Sequence, residues 1–214
     1  AEGTISHKQA LVFAIALAIL SFTSLYLLNN LLAAILAFAG GFFYVGIYTL
    51  YLKRRTIQNI VIGGSAGAFP PLVGYAAISN NITLEALYLF LIIFFWTPPH
   101  FWALAIMIKD DYERAKIPML PVVKGIKNAS LQIFLYCILL MFISLLIVTI
   151  ASSLGWIYVT SSIVLGAILI AKSYKLLKQL DRPSAVSTYK FSLLYLFLLI
   201  GAVMIDSSVI FMEL

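Results

Sequence analysis

Charge is what this sequence has least of. Fourteen basic and eight acidic side chains make only 10% of 214 residues, against roughly 25% in soluble domains, which excludes an ordinary water-soluble globular fold. Cysteine is nearly absent as well. Cys137 stands alone inside an apolar run, so neither a disulfide framework nor a cysteine-rich metal motif is available, and core filling is its expected role. Histidine is confined to His7 and His100, and no internal repeat is visible. No secretory leader is expected, because the first apolar run follows the polar AEGTISHKQ and is long enough to span rather than be cleaved. The net charge of +6 would suggest nucleic acid in a soluble protein. In so apolar a chain it reports cytoplasmic loops instead, and no nucleic-acid partner is expected.

Hydrocarbon is what the chain has in excess: 63% hydrophobic residues and a mean hydropathy of +1.07. Seven apolar runs lie at about residues 10–28, 31–52, 57–78, 84–108, 131–151, 156–171 and 191–212, each near the length that crosses a hydrocarbon core of roughly 30 Å. The sixth is the shortest. The expected fold is an all-α, multi-pass transmembrane bundle forming one domain over residues 1–214, with no separate soluble domain. The breaks between runs alternate in chemistry. Asn29-Asn30, Ser79-Asn80-Asn81 and Ser152-Ser153 carry no base, whereas Lys8, Lys53 to Arg55, Lys109 to Lys127 and Lys172 to Lys190 hold all fourteen. An up-and-down path puts every base on one side, so the positive-inside rule predicts a cytoplasmic N-terminus and an external C-terminus.

Two runs carry more than lipid-facing hydrocarbon. The third contains Gly63, Gly64, Gly67 and Gly74 with Pro70 and Pro71. Gly63 and Gly67 suit a helix-packing seam of small residues, and the same glycines could build a pocket wall. In the fourth, Pro98 and Pro99 remove two amide donors and are expected to break the helix, freeing carbonyls near Phe94 and Phe95. His100 follows directly, an ionisable group at membrane depth and therefore a functional candidate, with a hydrogen bond across the bundle as the plainer alternative. If the helix resumed, Asp111 would share its face about 16 Å further along, too far for one metal but suited to opposite ends of a long cavity. Around it, Asp110, Asp111 and Glu113 stand among Lys109, Arg114 and Lys116. Carboxylates suit a hard cation such as Mg²⁺, which keeps waters and shares its coordination with phosphates, and bases alongside suit the phosphates themselves. Lys53, Arg54 and Arg55 face the same compartment, as phosphate ligands or simply as determinants of topology, and Asn59 is placed one turn inside the next helix.

Three stretches carry a resemblance: YTLYLKRRTIQNIVIGGSAGAFPPLVGYAA, WTPPHFWALAI and DDYERAKIPMLPVVKG. Together they resemble the protoheme IX farnesyltransferase (haem O synthase) branch of the UbiA-type intramembrane prenyltransferases, and the likeness runs over essentially the whole chain. It implies a helical bundle around a cavity opening to the cytoplasm, a Mg²⁺-dependent transfer of farnesyl from farnesyl diphosphate to a vinyl group of haem B, and a place in the cell's plasma membrane. The partners implied are farnesyl diphosphate, haem B, the lipid bilayer and a downstream haem A synthase. By the same resemblance, Asp110 and Asp111 match the second acid-rich loop that holds the metal, with Tyr112 beside them, and Tyr48 and Lys53 match a tyrosine-lysine element. Diphosphate would be held by Lys53, Arg54, Arg55, Asn59, Arg114 and Lys116, and the haem acceptor by His100 and Trp96. The aromatic supply of 15 Phe, 12 Tyr and 3 Trp offers apolar walls and cation-π stabilisation for an allylic cation.

The chain departs from that family in one respect. Members have nine spanning helices and a first acid-rich motif upstream of the segment that AEGTIS resembles, yet no Asn-x-x-x-Asp stretch occurs here. The expectation is an N-terminally incomplete chain rather than a shortened paralogue, with little prenyl transfer by these residues alone. A multi-pass transporter with its site at broken third and fourth helices is the alternative from another class, although the acids gather at one face rather than at mid-membrane. A bis-histidine haem carrier would need His7, which lies at or outside the membrane edge.

Overall fold

The computed structural model describes residues 5–151 and 153–213, the last five of these for the backbone only. Helix α1 (His7–Leu28) is followed by α2 (Leu31–Phe42), which continues as a π-helix over Phe43–Leu52. Next come α3 (Asn59–Ser79), α4 (Leu84–Met107), two short helices α5 (Lys109–Arg114) and α6 (Leu120–Val123), and then α7 (Gly125–Leu146) with a 3₁₀ turn at Ile147–Thr149. The chain ends with α8 (Trp156–Gln179) and α9 (Arg182–Glu213). Among the described residues, seven helices are long and apolar enough to cross a membrane. The sixth of them is longer than its apolar run of 156–171 suggested, because lysines at its end continue the helix past the hydrocarbon.

Helix starts are marked by local polar caps. Ser6 accepts from Gln9 N at 3.2 Å while Gln9 Oε1 accepts from Ser6 N at 2.9 Å, a reciprocal capping box. Asn30 and Thr83 cap α2 and α4 by accepting from Ala33 N and Ala86 N. The α3 helix ends at Asn80 in the left-handed region, φ 50°, where a short amide side chain is tolerated.

Connections sort into two ends. Asn30 donates to the Ala76 and Ala77 carbonyls, tying the first turn between helices to the end of α3. Asp206 of α9 accepts from Gly155 N and Tyr158 N at 2.8 and 2.7 Å, capping α8. At the other end, Gln58 lines one cavity together with Leu120 and Lys124, and Arg182 Nε donates to the Met107 carbonyl. The three basic connections therefore meet at one end of the bundle, as the charge pattern required.

Helices α4, α7, α8 and α9 pack as a ring, with α3 against α4, then α2 and α1 outward. Between the ring helices the seams are small and hydroxylated. Ser130, Ser144, Ser162, Ser173, Thr188 and Ser192 are buried, while large apolar side chains such as Phe13, Leu28, Phe142 and Phe197 are exposed. This is packing suited to lipid, where small residues let helices approach and polar atoms must find partners inside.

Two expectations need correction. Helix α4 is not broken: it runs through Pro98 and Pro99, as α3 does through Pro70 and Pro71. Proline's fixed φ is itself helical, and Pro98 and Pro99 are both buried among packed neighbours, so α4 continues past the two missing amide donors. The helix also does not continue to Asp111. It stops at Met107, and Asp110 and Asp111 sit on the separate helix α5, so the 16 Å spacing along one axis does not apply. The departure from α geometry lies instead at residues 43–52, where Lys53 N bonds to the Tyr48 carbonyl and Thr49 Oγ1 to the Tyr44 carbonyl, both five residues back.

Candidate functional site

A cavity of about 430 Å³ lies between the π-helical segment, α3 and α4. Tyr44, Tyr48, Gly67, Ile93, Trp96 and Phe101 are among its lining residues. A Cβ on Gly63 would overlap the Tyr48 ring, and one on Gly64 would approach Thr97 Cγ2 to 2.8 Å, so these two are packing positions. Gly67 has nothing within 4 Å of a Cβ, so the expected seam of Gly63 with Gly67 is met at Gly63 only. All three glycines line the cavity. Tyr44 and Tyr48, four residues apart on the π segment, have ring centroids 5.7 Å apart, and π segments recur at functional sites.

Tyr112 is half-buried on α5, the short helix that follows α4 directly. Burial pushes the Tyr112 phenol above its ordinary range, so at neutral pH it is a neutral donor. Lys53 is half-buried at the end of the π segment, and its carbonyl accepts from Asn59 Nδ2 at 3.2 Å. Asn59 is the first residue of α3 rather than one turn inside, and it is fully buried with Oδ1 unpartnered. It holds the turn that carries Arg54 and Arg55, which are exposed; Arg55 lies over the Tyr51 ring at 4.6 Å.

On α5, Asp110 and Asp111 occupy the first turn and are exposed. Arg114 donates to Asp111, and Lys109 pairs with Glu113 at 3.9 Å. Lys116 follows in the left-handed region, φ 53°, and is exposed. Among the described residues no group of three or more His, Cys, Asp or Glu side chains is placed to hold a metal. Two adjacent carboxylates nevertheless fit the hard-donor share of a Mg²⁺ site whose other positions go to water and substrate phosphate.

His100 sits between α4 and α9. Its ring stacks on Trp96 at 4.3 Å and on Tyr189 at 4.7 Å between centroids, and Nδ1 lies 2.7 Å from Ser192 Oγ. Trp96 Nε1 donates to the Ser192 carbonyl at 2.7 Å. The plainer alternative, a hydrogen bond across the bundle, is thus present. Trp96 also reaches the large cavity; His100 is not among the residues that line it.

A second cavity, about 270 Å³, was not expected from the sequence; it is lined by Gln58, Trp102, Lys124, Asn128, Gln132 and Tyr136 with Ile57 and Leu120. A signal was available: Lys124, Asn128, Gln132 and Tyr136 recur every fourth residue, and a four-residue step drifts only about 40° around a helix.

The whole arrangement is an apolar chamber and a polar one beside an end of the bundle rich in bases and acids. Comparison with known proteins gives a consistent result. The UbiA prenyltransferase family model matches residues 1–201. The chain is 53% identical over 205 residues to the protoheme IX farnesyltransferase of Thermus thermophilus, covering 96% of this chain and 34% of that protein. It is 50% identical to the protein of the same name in Trichormus variabilis, over 96% of this chain and 65% of that one. For the Gloeobacter violaceus protein of that name the figures are 50% identity, 98% and 68%. The chain thus spans between about a third and two thirds of the length of these relatives. No solved structure matches it.

Proposed function

The chain belongs to the UbiA prenyltransferase family, and on that premise we propose that it forms a single transmembrane prenyltransferase domain that transfers the farnesyl group of farnesyl diphosphate to a vinyl group of haem B, giving haem O. The observation that carries this reading is the course of α4, which walls the apolar cavity with Trp96 and Phe101 and gives way after Met107 to the carboxylates and bases of α5. This supports the layout that a substrate with a hydrocarbon tail and a diphosphate head requires.

In this scheme the farnesyl chain enters the cavity walled by Gly67, Trp96 and Phe101, where water is scarce. Arg54, Arg55, Arg114 and Lys116 bind diphosphate oxygens, with Lys53 at the cavity end. Asn59 acts by holding the Lys53 carbonyl and so the turn. Tyr48 and Tyr112, both phenols, donate hydrogen bonds to the bridging or terminal oxygens. Asp110 and Asp111 are the residues that would hold Mg²⁺, which when bound supplies positive charge against the departing diphosphate. As the C1–O bond lengthens, Tyr44, Tyr48 and Trp96 present ring faces to the allylic cation. Trp96, backed by the stacked His100 ring, forms the wall against which the haem vinyl group is positioned.

The basic end of the bundle faces the cytoplasm in this reading, with the C-terminus outside, in the plasma membrane. A haem A synthase is the partner that would take the product. The test is Asp111→Ala in the full-length enzyme, with farnesyl diphosphate and haem B as substrates and haem O as the measured product. Loss of Mg²⁺-dependent turnover is expected. Retained activity with normal metal dependence removes Asp111 from the site, and sealed-vesicle flux without transfer would favour a transporter instead.

A further inference from the structure

We infer that the polar cavity between α3, α4 and α7 is a carboxylate-binding subsite that grips a propionate of the acceptor porphyrin, with Lys124 at its mouth and Trp102 in its wall. The inference rests on the proposed function, which supplies the acceptor, but its evidence is separate.

The lining is unusual for a chain so poor in polar groups. Gln58, Lys124 and Asn128 are exposed or half-buried at the rim, Gln132 and Tyr136 are half-buried below them, and Trp102 is only 3% exposed. Trp102 Nε1–H is buried with no hydrogen-bond partner. An indole N–H can only donate, and a buried donor without a partner costs about 1–3 kcal/mol, so such an orphan needs a reason. The Tyr136 ring meets the Trp102 ring edge to face at 5.3 Å, fixing the indole beside the one large polar ring of the wall. No side chain of Gln58, Lys124, Asn128, Gln132 or Tyr136 hydrogen-bonds to another described residue. A row of unengaged polar groups thus leads from a cation at the rim to the wall that the buried Trp102 ring helps to close.

The chemistry of the set selects the ligand. Among the described residues no Asp or Glu lines the cavity, and one lysine is its only charge, so the complement is a group with one negative charge and several acceptor lone pairs. A carboxylate has both. A diphosphate carries more charge than one lysine balances, and the clustered bases of residues 53–55 and 114–116 already lie at the same end of the bundle for it. Haem B carries its propionates on one edge of an otherwise apolar ring, so anchoring one of them here would fix which vinyl group is turned toward the farnesyl cavity. Trp96 and Phe101 of α4 line that cavity and Trp102, the next residue, lines this one, so the two are neighbours at the same stretch of α4.

The test is a spectroscopic titration of detergent-solubilised protein with haem B and with its dimethyl ester, for wild type, Lys124→Met and Gln132→Leu, with binding of a non-hydrolysable farnesyl thiodiphosphate measured in parallel. Lys124 is exposed, so its replacement leaves the fold intact, and melting curves check this for both variants. The expected result is a haem dissociation constant raised about tenfold in Lys124→Met, the loss of one charge-assisted hydrogen bond. The ester should bind wild type about as weakly and be indifferent to the substitution, while thiodiphosphate affinity stays unchanged. Unchanged haem affinity in both variants overturns the subsite and leaves the farnesyltransferase reading standing. Weakened thiodiphosphate binding in its place overturns it in favour of a diphosphate site. A wild-type protein that shows no haem-dependent spectral shift overturns both the acceptor and its subsite.

Discussion

His100 Nδ1 and Ser192 Oγ lie 2.7 Å apart, and the same serine oxygen lies 2.7 Å from the Tyr189 carbonyl. A hydroxyl has one proton to give. The carbonyl can only accept, so Ser192 donates to Tyr189 and accepts from His100. The imidazole is thereby fixed with its proton on Nδ1 and a free lone pair on Nε2. Between the Trp96 and Tyr189 rings it is held as a plate joining α4 to α9.

Ser192→Ala removes that acceptor inside the bundle and leaves a buried N–H unpaired. Destabilisation of about 1–3 kcal/mol is expected, read as a lower thermal midpoint in detergent. Ser192→Thr restores the hydroxyl and should recover most of the loss. A midpoint unchanged in Ser192→Ala would show that His100 takes its partner elsewhere.

Asp206 provides a second buried anchor, at the opposite end. One carboxylate oxygen serves both Gly155 N and Tyr158 N, neutralising donors at the start of α8 where the helix dipole favours negative charge. Asp206→Ala should cost about 1–3 kcal/mol, while Asp206→Asn keeps an acceptor oxygen and should cost less. Thermal unfolding of the two variants side by side checks the order. Because Asp206 is far from the basic end, turnover at low temperature should change little in either.

Much of this architecture was legible in the sequence, for a physical reason. A spanning helix must satisfy its backbone internally and present hydrocarbon to lipid, so length, hydropathy and the placement of fourteen bases determined the number of crossings and their common end. Side-chain pairing was less legible. Pro98 and Pro99 looked like a break, but both are buried among packed neighbours that hold the helix, a tertiary effect that local rules do not contain. The π segment at residues 43–52 has no compositional mark. The four-residue row from Lys124 to Tyr136 was visible but overshadowed by the denser acids of α5. Trp102 could not be singled out at all, since an unpaired indole is known only once its surroundings are built.

Gly63 and Gly67 should respond differently to added bulk. Gly63→Ala forces a methyl into the Tyr48 ring, and overpacking of that kind costs about 1–3 kcal/mol, with displacement of Tyr48 and reduced farnesyl transfer. Gly67→Leu meets no neighbour but occupies cavity volume. Its expected signature is a near-normal melting temperature with a severalfold higher KM for farnesyl diphosphate. Equal loss of stability in both would show that Gly67 is also a packing residue.

Arg114 and Asp111 form an exposed pair within one short helix. Such pairs contribute about 0–1 kcal/mol to stability, being hydrated and screened; in the proposed scheme this pair separates when substrate arrives, the base going to phosphate and the carboxylate to Mg²⁺. Arg114→Ala should leave the melting temperature within error of wild type. It should raise the KM for farnesyl diphosphate about tenfold, the loss of one charge-assisted contact to phosphate, with the Mg²⁺ requirement retained. Arg114→Lys keeps the charge without the two-pronged geometry and should fall between. Steady-state kinetics at several Mg²⁺ concentrations separate these outcomes. A fall in kcat with KM unchanged would place Arg114 against charge that develops only as diphosphate departs, not against the bound substrate.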